Sequence, residues 1–129
     1  MKILVTDDQI DILTLIHLAL TEHGFDVDLA RDGRQALAMA AVTRYDLILL
    51  DLMMPDLNGN DTLKILKRLP LTANTPIVAI TAKALRGDEI QITKSGFDGY
   101  LFKPFMIDQL ISVVGTHVTR QKIGSETGD

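Results

Sequence analysis

The sequence predicts an α/β fold, a doubly wound five-stranded parallel sheet with helices on both faces. Two observations carry that prediction. Five short, nearly continuous apolar runs recur along the chain, and helical patterns fill the intervals between them. Runs of this kind suit strands buried on both faces. Strands alternating with helices, joined by right-handed crossovers, give five βα units in an open sheet.

The elements follow in chain order. Lys2 to Thr6 is the first strand. A helix comes next, with Ile10, Leu13, Ile16 and Leu20 on one face, widened by Ile12 and Ala19. Asp8 or Asp11 is its expected cap, and Gly24 its stop. Phe25 to Ala30 alternates apolar and acidic residues, as an edge strand with one wet face would. Asp32 caps a second helix over about Gly33 to Thr43, with Leu37, Ala40 and Ala41 inward. Asp46 to Leu50 is the third strand, and a helix from about Gly59 to Leu69 ends at Pro70. Pro76 to Ile80 is the fourth strand. The helix expected between Ala84 and Ser95 is mostly polar and contains Gly87, which costs roughly 1 kcal/mol in a helix interior; Asp88 is an alternative start. This predicts a locally unstable element. Gly99 to Phe102 is the last strand. The last helix runs from about Met106 to Val118, with Ile107, Leu110, Ile111, Val114 and Val118 on one stripe.

Composition excludes several classes of function. A chain of 129 residues, 47% hydrophobic and 23% charged, suits one domain with a real core. Residues 1–119 are expected to form it, with 120–129 a short flexible tail. There is no cysteine, so disulfides and thiol catalysis are excluded, which fits a cytoplasmic setting. The formal net charge is -4 and no basic patch stands out, so no direct contact with nucleic acid is expected. No apolar run is long enough to span a membrane. The first residues run straight into acids, unlike a signal peptide.

In open sheets of this class, ligands bind beyond the carboxyl ends of the strands. Four of those ends present polar groups directly after an apolar run: Asp7-Asp8, Asp51, Thr81 and Lys103. Asp7-Asp8 alone reads as a helix-capping pair, and Thr81 alone as a turn residue. Together they read differently. Three carboxylates in one place repel by several kcal/mol at an effective dielectric of about 20, so the cluster needs protons or a cation. Oxygen ligation by few protein groups suits Mg²⁺, which keeps several waters and binds phosphate as well. Lys103 and Thr81 supply donors for phosphoryl oxygens, and a carboxylate can be the nucleophile that accepts the group.

The ordered set Asp7-Asp8, Asp51-Leu-Met-Met-Pro55-Asp-Leu-Asn-Gly59, Thr81-Ala82 and Lys103-Pro104-Phe105 closely resembles the receiver domain of bacterial two-component response regulators. The similarity spans Lys2 to Val118. It implies a flavodoxin-like, CheY-like sheet with strand order 2-1-3-4-5. It implies that Asp51 accepts a phosphoryl group from a phosphohistidine of a sensor histidine kinase or a histidine phosphotransfer protein. It implies Mg²⁺, with Mn²⁺ able to substitute, held by Asp8, Asp51 and the Met53 backbone carbonyl, with Asp7 acting directly or through water. Thr81 and Lys103 would bind phosphoryl oxygens, Tyr100 would turn inward in the active state, and the Lys103–Pro104 bond would be cis. Gly59 is expected to supply a backbone conformation unfavourable to other residues. Lys83, two beyond Thr81, matches a position where phosphate lifetimes vary. The resemblance implies a signalling domain that assists its own phosphorylation and dephosphorylation, not an enzyme, acting on an unknown downstream target through the face of the fourth helix, fifth strand and fifth helix. With no output domain in view, the chain is expected to be a single-domain receiver or the receiver module of a hybrid histidine kinase.

Two other classes compete. A phosphohydrolase with an aspartyl-phosphate intermediate usually carries a second acid two residues after the nucleophile, where this chain has Met53. A nucleotide or flavin module wants a Gly- or Ser/Thr-rich phosphate loop after strand one, where Asp7-Asp8 would repel phosphate. His17, His23 and His117 are read as surface residues, and Met53-Met54 as packing. Asp56 and Asp61 are read as surface or capping acids.

Overall fold

A computed structural model gives the structure of the protein; it describes residues 1–82 and 88–127, with side chains for 1–82 and 90–118. The sheet comprises β1 (Lys2–Thr6), β2 (Asp26–Ala30), β3 (Leu47–Asp51), β4 (Ile77–Thr81) and β5 (Gly99–Phe102). All pairings are parallel and the order is β2-β1-β3-β4-β5. The helices are α1 (Ile10–Glu22), α2 (Gly33–Val42), α3 (Gly59–Leu66), α4 (Asp88–Ser95) and α5 (Ile107–Thr127).

Side chains alternate across the sheet and build two cores. Ile3, Val5, Leu47, Leu49, Val78 and Ile80 face α1 and α5. Leu4, Ile48, Leu50, Ile77 and Ala79 face α2, α3 and α4. Every residue of β3 and β4 is buried, as two-sided coverage requires. β2 lies at the edge and keeps Asp26 exposed.

Several expectations shift. α1 is capped by Gln9 with no side-chain bond, so neither Asp8 nor Asp11 caps it. Asp7 Oδ1 instead accepts from the Gln9 N–H at 2.9 Å. Ile10 and Ile107, expected on the inward stripes, are 56% and 47% exposed. Each is the first residue of its helix, and helical side chains lean toward the N-terminus, beyond the sheet. Ala41 is exposed because α2 buries only a narrow stripe through Gly33, Ala36 and Ala40. α3 ends at Leu66, not Leu69. The next bond to the Leu66 carbonyl would need an N–H that Pro70 lacks, and the Thr72 hydroxyl donates there instead at 2.7 Å.

α4 begins at Asp88; the expected start at Ala84, with Lys83 and Gly87, lies outside the described residues. α5 passes the expected end at Val118 and is helical to Thr127. Arg120, Gln121 and Lys122 are good helix formers, and no proline intervenes. His117 is therefore mid-helix and buried, not on the surface. A Cβ at Gly99 would meet its Nε2 at 2.5 Å, so the glycine makes room for the ring. Among the described residues, no helix is long and apolar enough to cross a membrane.

Candidate phosphoacceptor and metal site

Sheet register brings the polar residues together. Thr6 of β1 is level with Leu50 of β3, so Asp7 and Asp51 leave neighbouring strands at the same height. The sheet order reverses between these two strands, where this class of fold opens its crevice. Thr81 is level with Phe102, and the Lys103 N–H donates to the Thr81 carbonyl at 2.8 Å. Asp51 and Thr81 are the last residues of β3 and β4, so each strand runs one residue past its expected end; the Leu52 N–H on the Ile80 carbonyl and the Lys103 N–H on the Thr81 carbonyl extend the ladder.

Asp7, Asp8 and Asp51 each offer a carboxylate oxygen within 4.8 Å of the others. Asp7 and Asp51 are buried, at 0% and 3% exposure, while Asp8 is exposed. The Lys103 ammonium lies 2.7 Å from Asp7 Oδ2 and 3.4 Å from Asp51 Oδ2, and donates to Gln9 Oε1 at 3.0 Å. The Asp7 contact is the tighter of the two ion pairs, and it is made to a fully buried acid. Asp51 Oδ1 accepts from the Met53 N–H at 3.0 Å.

Burial pushes the Asp51 carboxyl up to about 6, and the nearby Asp7 charge adds to this. The Met53 N–H and Lys103 pull the other way without winning. Two buried acids sharing one ammonium remain short of positive charge. A hard divalent cation would supply it, and three oxygens open to solvent through Asp8 suit Mg²⁺ better than an enclosed cage.

The other expected residues fall around this centre. Thr81 is fully buried at the end of β4. A groove of about 280 Å³ beside it is lined by Leu52, Met53, Asn58, Gln91 and Ile92. Met53 is 57% exposed at the rim, so its side chain is not packing material, whereas Met54 is buried. Tyr100 is 39% exposed, its ring tilted against Phe102 at 5.2 Å. The Lys103–Pro104 peptide is cis. Gly59 does not take a positive φ; close approach explains it, since a Cβ would sit 2.7 Å from Leu52 Cα and 2.8 Å from the Asp51 carbonyl. Gln9 was missed by sequence reasoning. It belongs to no motif, and its contact with Lys103 spans 94 residues.

Comparison with known proteins agrees with this geometry. The family described as response regulator receiver domain matches residues 3–115. Response regulator ArlR of Staphylococcus saprophyticus is 38% identical over 93% of the chain and 53% of its own length. The chain thus spans about half the length of the curated relatives it matches. The receiver domain of Francisella response regulator 1452 is 40% identical, with TM-score 0.85 over 92% of this chain and 97% of that one. The receiver domain of the sensor histidine kinase PA1611 from Pseudomonas aeruginosa was solved with a magnesium ion coordinated in the active site cleft. It is 33% identical, with TM-score 0.84 over the same shares of the two chains.

Proposed function

The chain belongs to the response regulator receiver domains of two-component systems, and from that premise we propose that Asp51 is the phosphoacceptor, loaded in a Mg²⁺-dependent reaction from a phosphohistidine of a sensor histidine kinase or histidine phosphotransfer protein. The observation that carries this reading is the buried Asp51 carboxylate, 3.4 Å from the Lys103 ammonium and clustered with Asp7 and Asp8.

Asp8, Asp51 and the Met53 backbone carbonyl would hold the metal, with Asp7 acting directly or through water. When bound, Mg²⁺ neutralises charge on the carboxylates and the phosphoryl oxygens. A carboxylate oxygen of Asp51 forms the O–P bond as the donor's P–N bond breaks. The bonding pair stays with the imidazole, which takes a proton from solvent. Lys103, already between Asp7 and Asp51, turns its ammonium to a phosphoryl oxygen. The Thr81 hydroxyl donates to another, and Tyr100 moves inward from its exposed position. The α4–β5–α5 face then changes shape, a two-state equilibrium biased by a covalent ligand.

Incubation with acetyl phosphate and Mg²⁺, followed by intact mass, tests the acceptor. One phosphoryl adduct is expected, absent in Asp51→Asn; an adduct that persists in that variant refutes the assignment. Thr81→Ala is expected to accept phosphate yet lose phosphorylation-dependent partner binding. Met53 stands where a hydrolase would keep its second acid, so sustained turnover of phosphoesters is not expected. A second setting for the same chemistry is a hybrid histidine kinase, favoured by the likeness to the PA1611 receiver domain.

A further inference from the structure

The β3–α3 loop leaves the sheet at Leu52 and returns at Gly59, its neck closed by the Gly59 N–H on the Leu52 carbonyl at 3.1 Å. Asp56, within that loop, reaches a different element. Its Oδ1 accepts from the Gly33 N–H at 3.3 Å and its Oδ2 from the Arg34 N–H at 3.2 Å. These are the first two N–H groups of α2, which have no partner inside the helix. The third, on Gln35, is taken by the helix's own cap, Asp32, at 2.8 Å. One helix start is thus served by two carboxylates, one local and one brought by a loop more than twenty residues away.

The same junction is tight. A Cβ at Gly33 would meet Thr62 Oγ1 at 2.6 Å, the Leu57 carbonyl at 2.9 Å and Leu57 Cβ at 3.0 Å. Thr62 in turn donates to the Asn58 carbonyl at 2.9 Å. Burial, the largest single influence, would raise the Asp56 carboxyl; the N–H groups of Leu57, Arg34 and Gly33 together outweigh it and hold the group below its ordinary value.

We propose that Asp56 is a positioning residue for the metal and phosphoryl site: its bracket on α2 fixes the β3–α3 loop and, with it, the backbone of Met53. The proposal rests on the reading of the Met53 carbonyl as a Mg²⁺ ligand. Asp56 touches neither metal nor acceptor. It acts by denying the loop positions in which that carbonyl would point elsewhere.

Titrating the protein with MgCl₂ by NMR, alongside thermal melts, tests this. Asp56→Ala is expected to weaken Mg²⁺ binding about tenfold, the scale for supports one step removed from a metal. Asp32→Ala is the control. It removes a cap from the same helix and a charge from the same open groove beside Asp8, but leaves the loop tied. It is expected to lower Tm and leave Mg²⁺ affinity within about twofold. A folded Asp56→Ala protein with lowered Tm and unchanged affinity makes Asp56 a helix cap and nothing more, which overturns the proposal. If Asp56→Ala does not fold, Asp56→Asn keeps the size and one acceptor, and is expected to weaken binding a few-fold; unchanged affinity there overturns it equally. A wild-type chain that binds no Mg²⁺ overturns the reading of the site itself, and this proposal with it.

Discussion

Two clusters at opposite ends of the sheet hold the same inventory, three aspartates and one lysine, and differ in almost everything else. At the carboxyl end, Asp7, Asp8 and Asp51 gather around Lys103. At the amino end, Asp26, Asp28 and Asp46 surround Lys2. There each acid has its own partner or open water. The Lys2 N–H donates to Asp46 at 2.7 Å, the Tyr45 hydroxyl donates to Asp28 at 2.7 Å, and the Lys2 ammonium stands 3.7 and 3.8 Å from Asp26 and Asp28. The strain falls on the tyrosine, whose hydroxyl is pushed well up by burial and then by Asp28. At the other end two acids are withdrawn from water and share one ammonium, and it is the Asp51 carboxyl that is pushed up. Residue types therefore do not make the site; burial without enough positive charge does.

The largest expected effect tests that contrast directly. Asp51→Asn removes a charge the fold disfavours and is expected to stabilise the metal-free protein by roughly 1–3 kcal/mol at neutral pH. Asp28→Asn removes a charge that accepts a bond from a buried hydroxyl, and is expected to cost about 1 kcal/mol. Denaturant melts of both variants should give opposite signs. The pH dependence follows. An acid whose folded pKa is raised adds stability that is complete below its unfolded value near 4 and lost as pH rises through about 6. The Asp51→Asn advantage should thus vanish near pH 4 and reach its plateau by pH 7. Equal signs, or a pH-independent gap, would mean that the two ends are not different in kind.

A smaller effect concerns the shared ammonium. With Asp51 as the proposed Mg²⁺ ligand, protons would compete for it, so apparent affinity should fall as pH drops below about 6, approaching tenfold per unit. Lys103 holds the Asp51 carboxyl lower than it would otherwise be. In Lys103→Ala the fall should begin at higher pH. Magnesium titrations at several pH values in both proteins locate the two midpoints, and a midpoint that does not move would show that Lys103 is screened from Asp51.

Much of this was legible in the sequence, for a physical reason. Strands buried on both faces must be continuously apolar, so Leu47 to Leu50 and Ile77 to Ile80 stand out, and polar residues just past them mark the rim. What stayed hidden depends on where chains meet. Asp56 and Asp32 both read as capping acids, but only the folded loop puts Asp56 on the start of α2. Gln9 looks like any surface amide until Lys103 arrives beside it. His117 looked like a surface residue because its burial depends on α5 continuing past it and on the missing side chain at Gly99. Ile10 and Ile107 fit their stripes by spacing and lost burial only by coming first in their helices.

The smallest effect belongs to Lys2. Its ammonium lies at the long end of ion-pair distance from both partners, and its side chain is 37% exposed. Such pairs contribute about 0–1 kcal/mol and weaken with salt. Lys2→Met should keep the backbone bond to Asp46, because that donor is the main-chain N–H. The expected loss is under about 0.5 kcal/mol, shrinking further in molar salt, with Mg²⁺ affinity unchanged. Lys103 differs from it by burial, at 12% side-chain exposure, and by a 2.7 Å contact with a fully buried acid. If urea melts gave Lys2→Met a salt-independent loss of 2 kcal/mol or more, the amino-end cluster would be as tightly coupled as the site. Burial could then no longer be what separates the solvated acids around Lys2 from the clustered acids around Lys103.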